Sequence, residues 1–85
     1  MPDTSLDPRR KRILWRASHR GIREMDIVLG RFAEQRVAAM NDAELSELEA
    51  IIDIPDQELL GWITAGAAPE AARSPTLDAM LAFRR

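Results

Sequence analysis

Apolar residues recur at intervals of three and four along nearly the whole chain, and no stretch alternates for long between apolar and polar residues. Intervals of three and four place side chains on one face of an α-helix, whereas strict alternation is typical of a half-buried strand. The pattern therefore predicts an all-α protein of five short helices. We expect these helices to form a compact bundle, because the predicted connections between them are short.

Local capping signals predict where the helices begin and end. Asp7 and Ser74 each stand before a proline, the arrangement of an N-cap residue followed by the first helical position. Asn41 and Glu44 have the spacing of a capping box, and Gly21 allows the backbone to turn between the first two helices. The predicted helices cover about Pro8 to Ser18, about Ile22 to Ala39, Asn41 to before Pro55, Pro55 to the Gly66 region, and Ser74 onwards, with the alanine-rich residues 65–72 as a loop that holds a helical turn.

The length of the chain sets its domain organisation. Eighty-five residues, of which 46% are hydrophobic, can form one core but not two. We expect one domain over residues 8–85 after a short tail at residues 1–7. No apolar run approaches the roughly 20 residues that span a bilayer, and the first residues do not resemble a secretory signal. The sequence therefore predicts a cytoplasmic protein that does not insert into a membrane.

Few residues could carry catalytic or metal chemistry. The chain has no cysteine and one histidine, so disulfides, a thiolate nucleophile and a histidine-cysteine metal site are excluded. Its four glycines are scattered rather than grouped in a phosphate-binding loop. We expect a protein that is not an enzyme, has no metal site and binds no cofactor itself. Such a chain would present a surface and leave any reaction to a partner.

The net charge of −2 conceals an asymmetry. Residues 1–36 hold nine of the twelve basic residues against five acidic ones, whereas residues 37–85 hold three basic against nine acidic. On a helix, four arginines of the first half form a basic stripe: Arg9, Arg12, Arg16 and Arg20. Such a stripe suits nucleic acid or an acidic protein surface, and the acidic second half argues against nucleic acid.

The corner predicted after the first helix has a structural and a functional interpretation. Structurally, Gly21 turns the chain and Glu24 places a favourable negative charge in the first turn of the second helix. Functionally, a glycine lets a partner approach the backbone closely, while Arg20 offers a donor fork and Glu24 an acceptor. His19 is predicted to be a surface residue, and Trp15 and Trp62 are predicted to pack into the bundle.

Three segments resemble one known family. Arg12-Ile13-Leu14-Trp15, the run Arg-Gly-Ile-Arg-Glu-Met-Asp at residues 20–26, and Pro-Asp-Gln-Glu-Leu-Leu-Gly-Trp-Ile at residues 55–63 are similar to the SdhE-type FAD assembly factors of succinate dehydrogenase. Order and spacing agree over about residues 9–83. The RGxxE pattern alone has only three fixed positions, but it becomes specific when combined with the other two segments.

The resemblance implies a five-helix bundle that binds the flavoprotein subunit of succinate dehydrogenase, and in some members of the family that of fumarate reductase. It further implies that the chain promotes covalent attachment of FAD, which is carried by the partner. The residues that it implies for partner binding are Arg20, Gly21 and Glu24, followed by Asp26, Arg16 and Arg12. We expect a monomer when free, and an antitoxin-like or regulatory protein-binding module and a small nucleic-acid binder remain the alternatives.

Overall fold

The computed structural model describes residues 6–83, and every regular element in this range is helical. The α-helices are α1 (Pro8–Ser18), α2 (Arg23–Arg36), α3 (Asp42–Ile52), α4 (Asp56–Ala65) and α5 (Pro75–Ala82), with 3-10 turns at Val37–Ala39 and Glu70–Ala72. The predicted all-α fold of five short helices is confirmed for this range. The second helix ends earlier than predicted, because its last residues tighten into the first 3-10 turn.

The predicted tail at residues 1–7 lies mostly outside the described residues. Leu6 and Asp7 are its described part, and Leu6 packs partly buried against the core while Asp7 caps α1. The boundary at residue 8 stays a prediction. None of the described helices has the length and apolar character that crossing a bilayer would require.

The capping signals read from the sequence are confirmed. The side chains of Asp7 and Ser74 accept backbone N–H bonds of 2.8 and 3.1 Å in the first turns of α1 and α5. Asn41 and Glu44 bond reciprocally at 2.8 and 2.9 Å, which completes the capping box of α3. Gly66 ends α4 in a left-handed conformation with φ of 77°. These bonds satisfy backbone groups that helix ends otherwise leave without partners.

The core is formed by side chains from all five α-helices and from the 3-10 turn at Val37–Ala39. Its largest fully buried side chains are Phe32, Ile13, Met25, Leu29, Leu45, Leu48, Leu59, Leu77, Met80 and Val37. Helices α1 and α2 approach closely at Gly30, where a Cβ atom would stand 3.3 Å from the Ser18 hydroxyl oxygen. This packing fixes the relative position of the two helices that flank Gly21.

The charge asymmetry of the sequence is partly neutralised inside the fold. Arg9 on α1 donates to both carboxylate oxygens of Glu49 on α3, at 2.9 and 3.2 Å. Arg16, two turns further along α1, donates to Asp53 at 2.7 Å. The basic helix is therefore aligned with acidic residues of the same chain.

The Arg9–Glu49 pair predicts a pH dependence of folding. The hydrogen bond from Arg9 holds the pKa of Glu49 below its ordinary value of 4.5. A carboxyl whose pKa is lower in the folded state contributes stability above its unfolded pKa and loses it as the pH falls through its folded pKa. We therefore expect the free energy of unfolding of Glu49→Gln to fall less than that of the unmodified chain as the pH is lowered below 4.5. Urea titrations at several pH values would measure both proteins. Equal acid sensitivity of the two proteins would contradict this expectation.

Candidate functional site

The chain turns between α1 and α2 at Gly21, which is exposed and has a φ of +100°. Residues with a Cβ atom rarely adopt this conformation, and no neighbouring atom lies within 4 Å of where a Cβ would stand. The glycine is therefore required by the backbone conformation and not by lack of space. The predicted turn at this position is confirmed, and the open space above it leaves the backbone accessible.

The first turn of α2 carries the acidic part of this corner. The N-cap residue Ile22 makes no side-chain capping bond, and Glu24 and Asp26 stand in the first turn, where negative charge is favoured by the helix dipole. Glu24 is exposed. Asp26 is partly buried, and its carboxylate accepts a hydrogen bond of 2.6 Å from the backbone N–H of Arg20. Of the two acids, Glu24 is the one presented at the surface.

Arg20 differs from the free donor fork that the sequence predicts. Its side chain is only 9% exposed, and Nε donates to a carboxylate oxygen of Asp56 at 2.5 Å. Nη1 donates to the backbone carbonyl of Ile52 at 2.5 Å, and Nη2 donates to that of Ile54 at 2.6 Å. The guanidinium is thus engaged within the fold, at the junction of α3 and α4. Contact of Arg20 with a partner stays a prediction, and the structure gives its side chain an internal role.

The two remaining predicted site residues lie on the exposed side of α1. Arg12 is exposed, and Arg16 is 42% exposed while it pairs with Asp53. The basic stripe is therefore largely committed to acids of the same chain, since Arg9, Arg16 and Arg20 all have carboxylate partners. A phosphate backbone would have to compete with these partners.

Trp15 is exposed, which corrects the prediction that it packs into the bundle. The residue is 61% exposed, and its ring stacks on that of His19 with centroids 4.2 Å apart and planes 8° from parallel. The His19 ring is further held by a 2.8 Å hydrogen bond between Nδ1 and the Trp15 carbonyl oxygen. Helical geometry could have identified this position, because Trp15 lies about 200° around α1 from the buried Ile13. By contrast, Trp62 is partly buried against the core, in agreement with its predicted packing role.

An open cleft of about 280 Å³ lies beside the stacked rings. It is lined by Trp15, Arg16, His19, Arg20, Ile52 and Asp56. The cleft thus adjoins the predicted site residues of α1 and reaches the junction of α3 and α4. Within residues 6–83 no group of histidine and acidic side chains could hold a metal ion.

Comparison with known proteins identifies relatives over most of the chain. Residues 11–84 match the family model described as "Flavinator of succinate dehydrogenase". The "FAD assembly factor SdhE" of Acetobacter pasteurianus is 38% identical over 80 residues, which cover 93% of this chain and 73% of that protein. No solved structure matches this chain.

Mitochondrial relatives match a shorter region. The "Succinate dehydrogenase assembly factor 2, mitochondrial" of Debaryomyces hansenii is 35% identical over 60 residues, covering 71% of this chain and 42% of that protein. The protein of the same description from Caenorhabditis elegans is 40% identical over 53 residues, covering 62% of this chain and 44% of that protein. The chain thus spans less than half the length of these two relatives. The matched region agrees with the resemblance noted from the three sequence segments.

Proposed function

This chain belongs to the flavinator family of succinate dehydrogenase, and from that premise we propose that it is an assembly factor for the flavoprotein subunit of that enzyme. In this proposal it binds the flavoprotein and promotes covalent attachment of FAD. The observation that carries the proposal is the family match over residues 11–84, which includes the exposed corner at Gly21 and Glu24. The family consists of assembly factors, and we further propose that this chain is not itself an enzyme.

The proposed mechanism is positional. The corner offers an accessible glycine backbone and one exposed carboxylate, and neither is a group that forms a bond to a flavin. We propose that FAD stays on the partner, that the bond forms between groups of the partner, and that this chain binds neither flavin nor metal. Docking would hold the partner in a geometry favourable for that step, and correct orientation of reacting groups can lower a barrier by several kcal/mol without a catalytic side chain from the helper.

The proposed docking surface extends from the Gly21 corner along α1. Trp15 is an exposed aromatic side chain that stacks on His19, and aromatic side chains often contribute much of the energy of an interface. Arg12 and Arg16 would lie at the rim, where charges mainly guide association. Asp26 and Arg20 would support this surface from within. We define the docking surface by Trp15, His19, Gly21, Glu24, Arg12 and Arg16.

Several parts of the proposal concern clients, assembly state and location. We propose that the flavoprotein of fumarate reductase is a second client, that the free chain is a monomer, and that it acts in the cytoplasm. Analytical ultracentrifugation of the free protein would test the monomer, and fractionation of native cells would test the location. Co-purification from the same cells would identify the clients, which should carry covalent flavin.

Glu24 provides the main test of the proposed function. In a strain that lacks the chain, we expect Glu24→Arg to leave about a tenth of the covalent flavin on the denatured dehydrogenase subunit, since reversing a charge at an interface commonly weakens binding by at least tenfold. Glu34→Arg is the matched control, because Glu34 is also an exposed acid on α2. We expect full labelling with this control. Full labelling with a normally folded Glu24→Arg variant would contradict the proposal that Glu24 belongs to the docking surface.

The two alternative functions predict different results. A nucleic-acid binder would shift duplex DNA or RNA with steep salt dependence, and we expect no such shift because most of the basic stripe is paired within the chain. An antitoxin-like or regulatory module would co-purify with a protein that carries no flavin. The names of the relatives favour neither alternative.

A further inference from the structure

Arg20 joins two helix ends that are remote from it in sequence. Ile52 is the last residue of α3 and Asp56 is the first of α4, and the guanidinium bonds to both as well as to Ile54 between them. A cation at the carboxyl end of a helix and an acid at the amino end of the next are both favourable with respect to the helix dipoles. The arginine therefore holds the α3–α4 junction, and the junction in turn holds the arginine.

The backbone of Arg20 is held from a second direction. Its N–H donates to the carboxylate of Asp26 on α2, at 2.6 Å. Two carboxylates from two helices thus restrain one residue, Asp56 through the side chain and Asp26 through the main chain. Gly21 follows directly in the sequence, so the residue with the greatest conformational freedom is attached to a tightly restrained neighbour.

We propose that Asp56 is a positioning residue of the docking surface, acting through Arg20 to fix the Gly21 corner and the first turn of α2 in the conformation that the flavoprotein binds. This inference rests on the proposed function. Binding to a preorganised corner avoids the loss of conformational entropy that ordering a flexible one would require. Asp56 carries this role because, within residues 6–83, its carboxylate is the one charged partner of a guanidinium that is only 9% exposed.

A purely structural role for Asp56 predicts different behaviour. In that case its replacement would weaken client binding only in proportion to the loss of fold stability. A positioning role instead predicts that binding is lost while the fold is retained, together with a change in the NMR signals of the corner. Asp78 offers a matched control, because it also pairs with an arginine, Arg73, but lies on α5.

The test compares Asp56→Asn, Asp56→Glu and Asp78→Asn. For each protein, calorimetry would measure binding to the purified flavoprotein subunit, thermal denaturation would measure stability, and ¹H–¹⁵N spectra would follow the Arg20 Nε–H and the Gly21 and Glu24 amides. We expect Asp56→Asn to weaken binding by about tenfold and to shift these three signals, since an ion pair is replaced by a weaker hydrogen bond from the guanidinium to a neutral amide oxygen. Asp56→Glu should recover most of the affinity, and Asp78→Asn should bind as the unmodified chain does.

Each other outcome decides against the inference or against its premise. Unchanged affinity of a folded Asp56→Asn overturns the positioning role, as does equal weakening by Asp56→Asn and Asp78→Asn. If Asp56→Asn does not fold, Asp26→Asn replaces it, because Asp26 restrains the backbone of Arg20. Unchanged corner signals together with unchanged affinity in Asp26→Asn then overturn the role, since binding would not depend on a fixed corner. If the unmodified chain does not bind the flavoprotein, the proposed function fails, and unshifted Gly21 and Glu24 signals in Asp56→Asn would then refute the positioning independently.

Discussion

Replacing Arg20 with alanine is expected to lower the free energy of unfolding by about 3 kcal/mol or more. The substitution removes one ion pair and two hydrogen bonds to backbone carbonyls. It leaves the Asp56 carboxylate, which is 25% exposed, without its cation, and it leaves the carbonyls of Ile52 and Ile54 without these donors. Groups that lose their partners away from water are costly, at about 1–3 kcal/mol each, and partial access of water to Asp56 reduces the total.

The size of this effect matters because small domains have an unfolding free energy of only about 5–15 kcal/mol. Urea unfolding followed by circular dichroism would measure it. Arg73→Ala is the matched control, since Arg73 also pairs with an aspartate through its guanidinium but is 54% exposed. Exposed pairs typically contribute about 0.2–1 kcal/mol, so we expect a small change there. Equal losses of unfolding free energy in the two variants would show that the contacts of Arg20 stabilise the fold no more than an exposed ion pair does.

Features encoded by neighbouring residues could be predicted from the sequence. The caps at Asp7, Asn41 and Ser74 depend on residues within one turn, and all three form as predicted. Gly21 and Gly66 were identified as turning points for the same reason, since positive φ is a local requirement that glycine meets. The all-α fold follows from the repeat of apolar positions, which reflects the face that each helix buries.

Features that depend on tertiary contacts could not be predicted. Arg20 meets Asp56, which is 36 residues away, and nothing in the local sequence distinguishes such a side chain from a free one. For the same reason the sequence predicts a basic stripe that is available to a partner, although its carboxylate partners lie on α3, at the C-cap of α3 and on α4 of the same chain. Trp15 is a different case, because helical geometry alone could have corrected its prediction. Its neighbours Ile13 and Leu14 suggest a core position, whereas the buried residues of α1, Ile13 and Ala17, lie on another face of the helix.

Replacing Gly21 with alanine is expected to cause a loss of function that the same replacement of Gly61 or Gly66 does not cause. Gly21→Ala should lower the free energy of unfolding by about 1–2 kcal/mol, because a Cβ atom disfavours φ of +100°. Gly61→Ala should instead stabilise the fold by about 0.5–1 kcal/mol, because Gly61 lies inside α4 where a Cβ meets nothing within 4 Å. The two substitutions thus change the free energy of unfolding in opposite directions, although neither introduces a steric clash.

Gly66→Ala separates stability from docking. Gly66 also has a positive φ, of 77°, but ends α4 beside a different cleft from that of Trp15. We expect it to lose stability as Gly21→Ala does while keeping covalent flavin on the dehydrogenase near its normal level in the complemented strain. Gly21→Ala should reduce that flavin about tenfold, because the strained residue stands in the docking surface itself. Both variants strain a backbone of positive φ, but only Gly21 lies in the docking surface. Equal flavin levels with the two variants would therefore mean that the corner contributes only to folding.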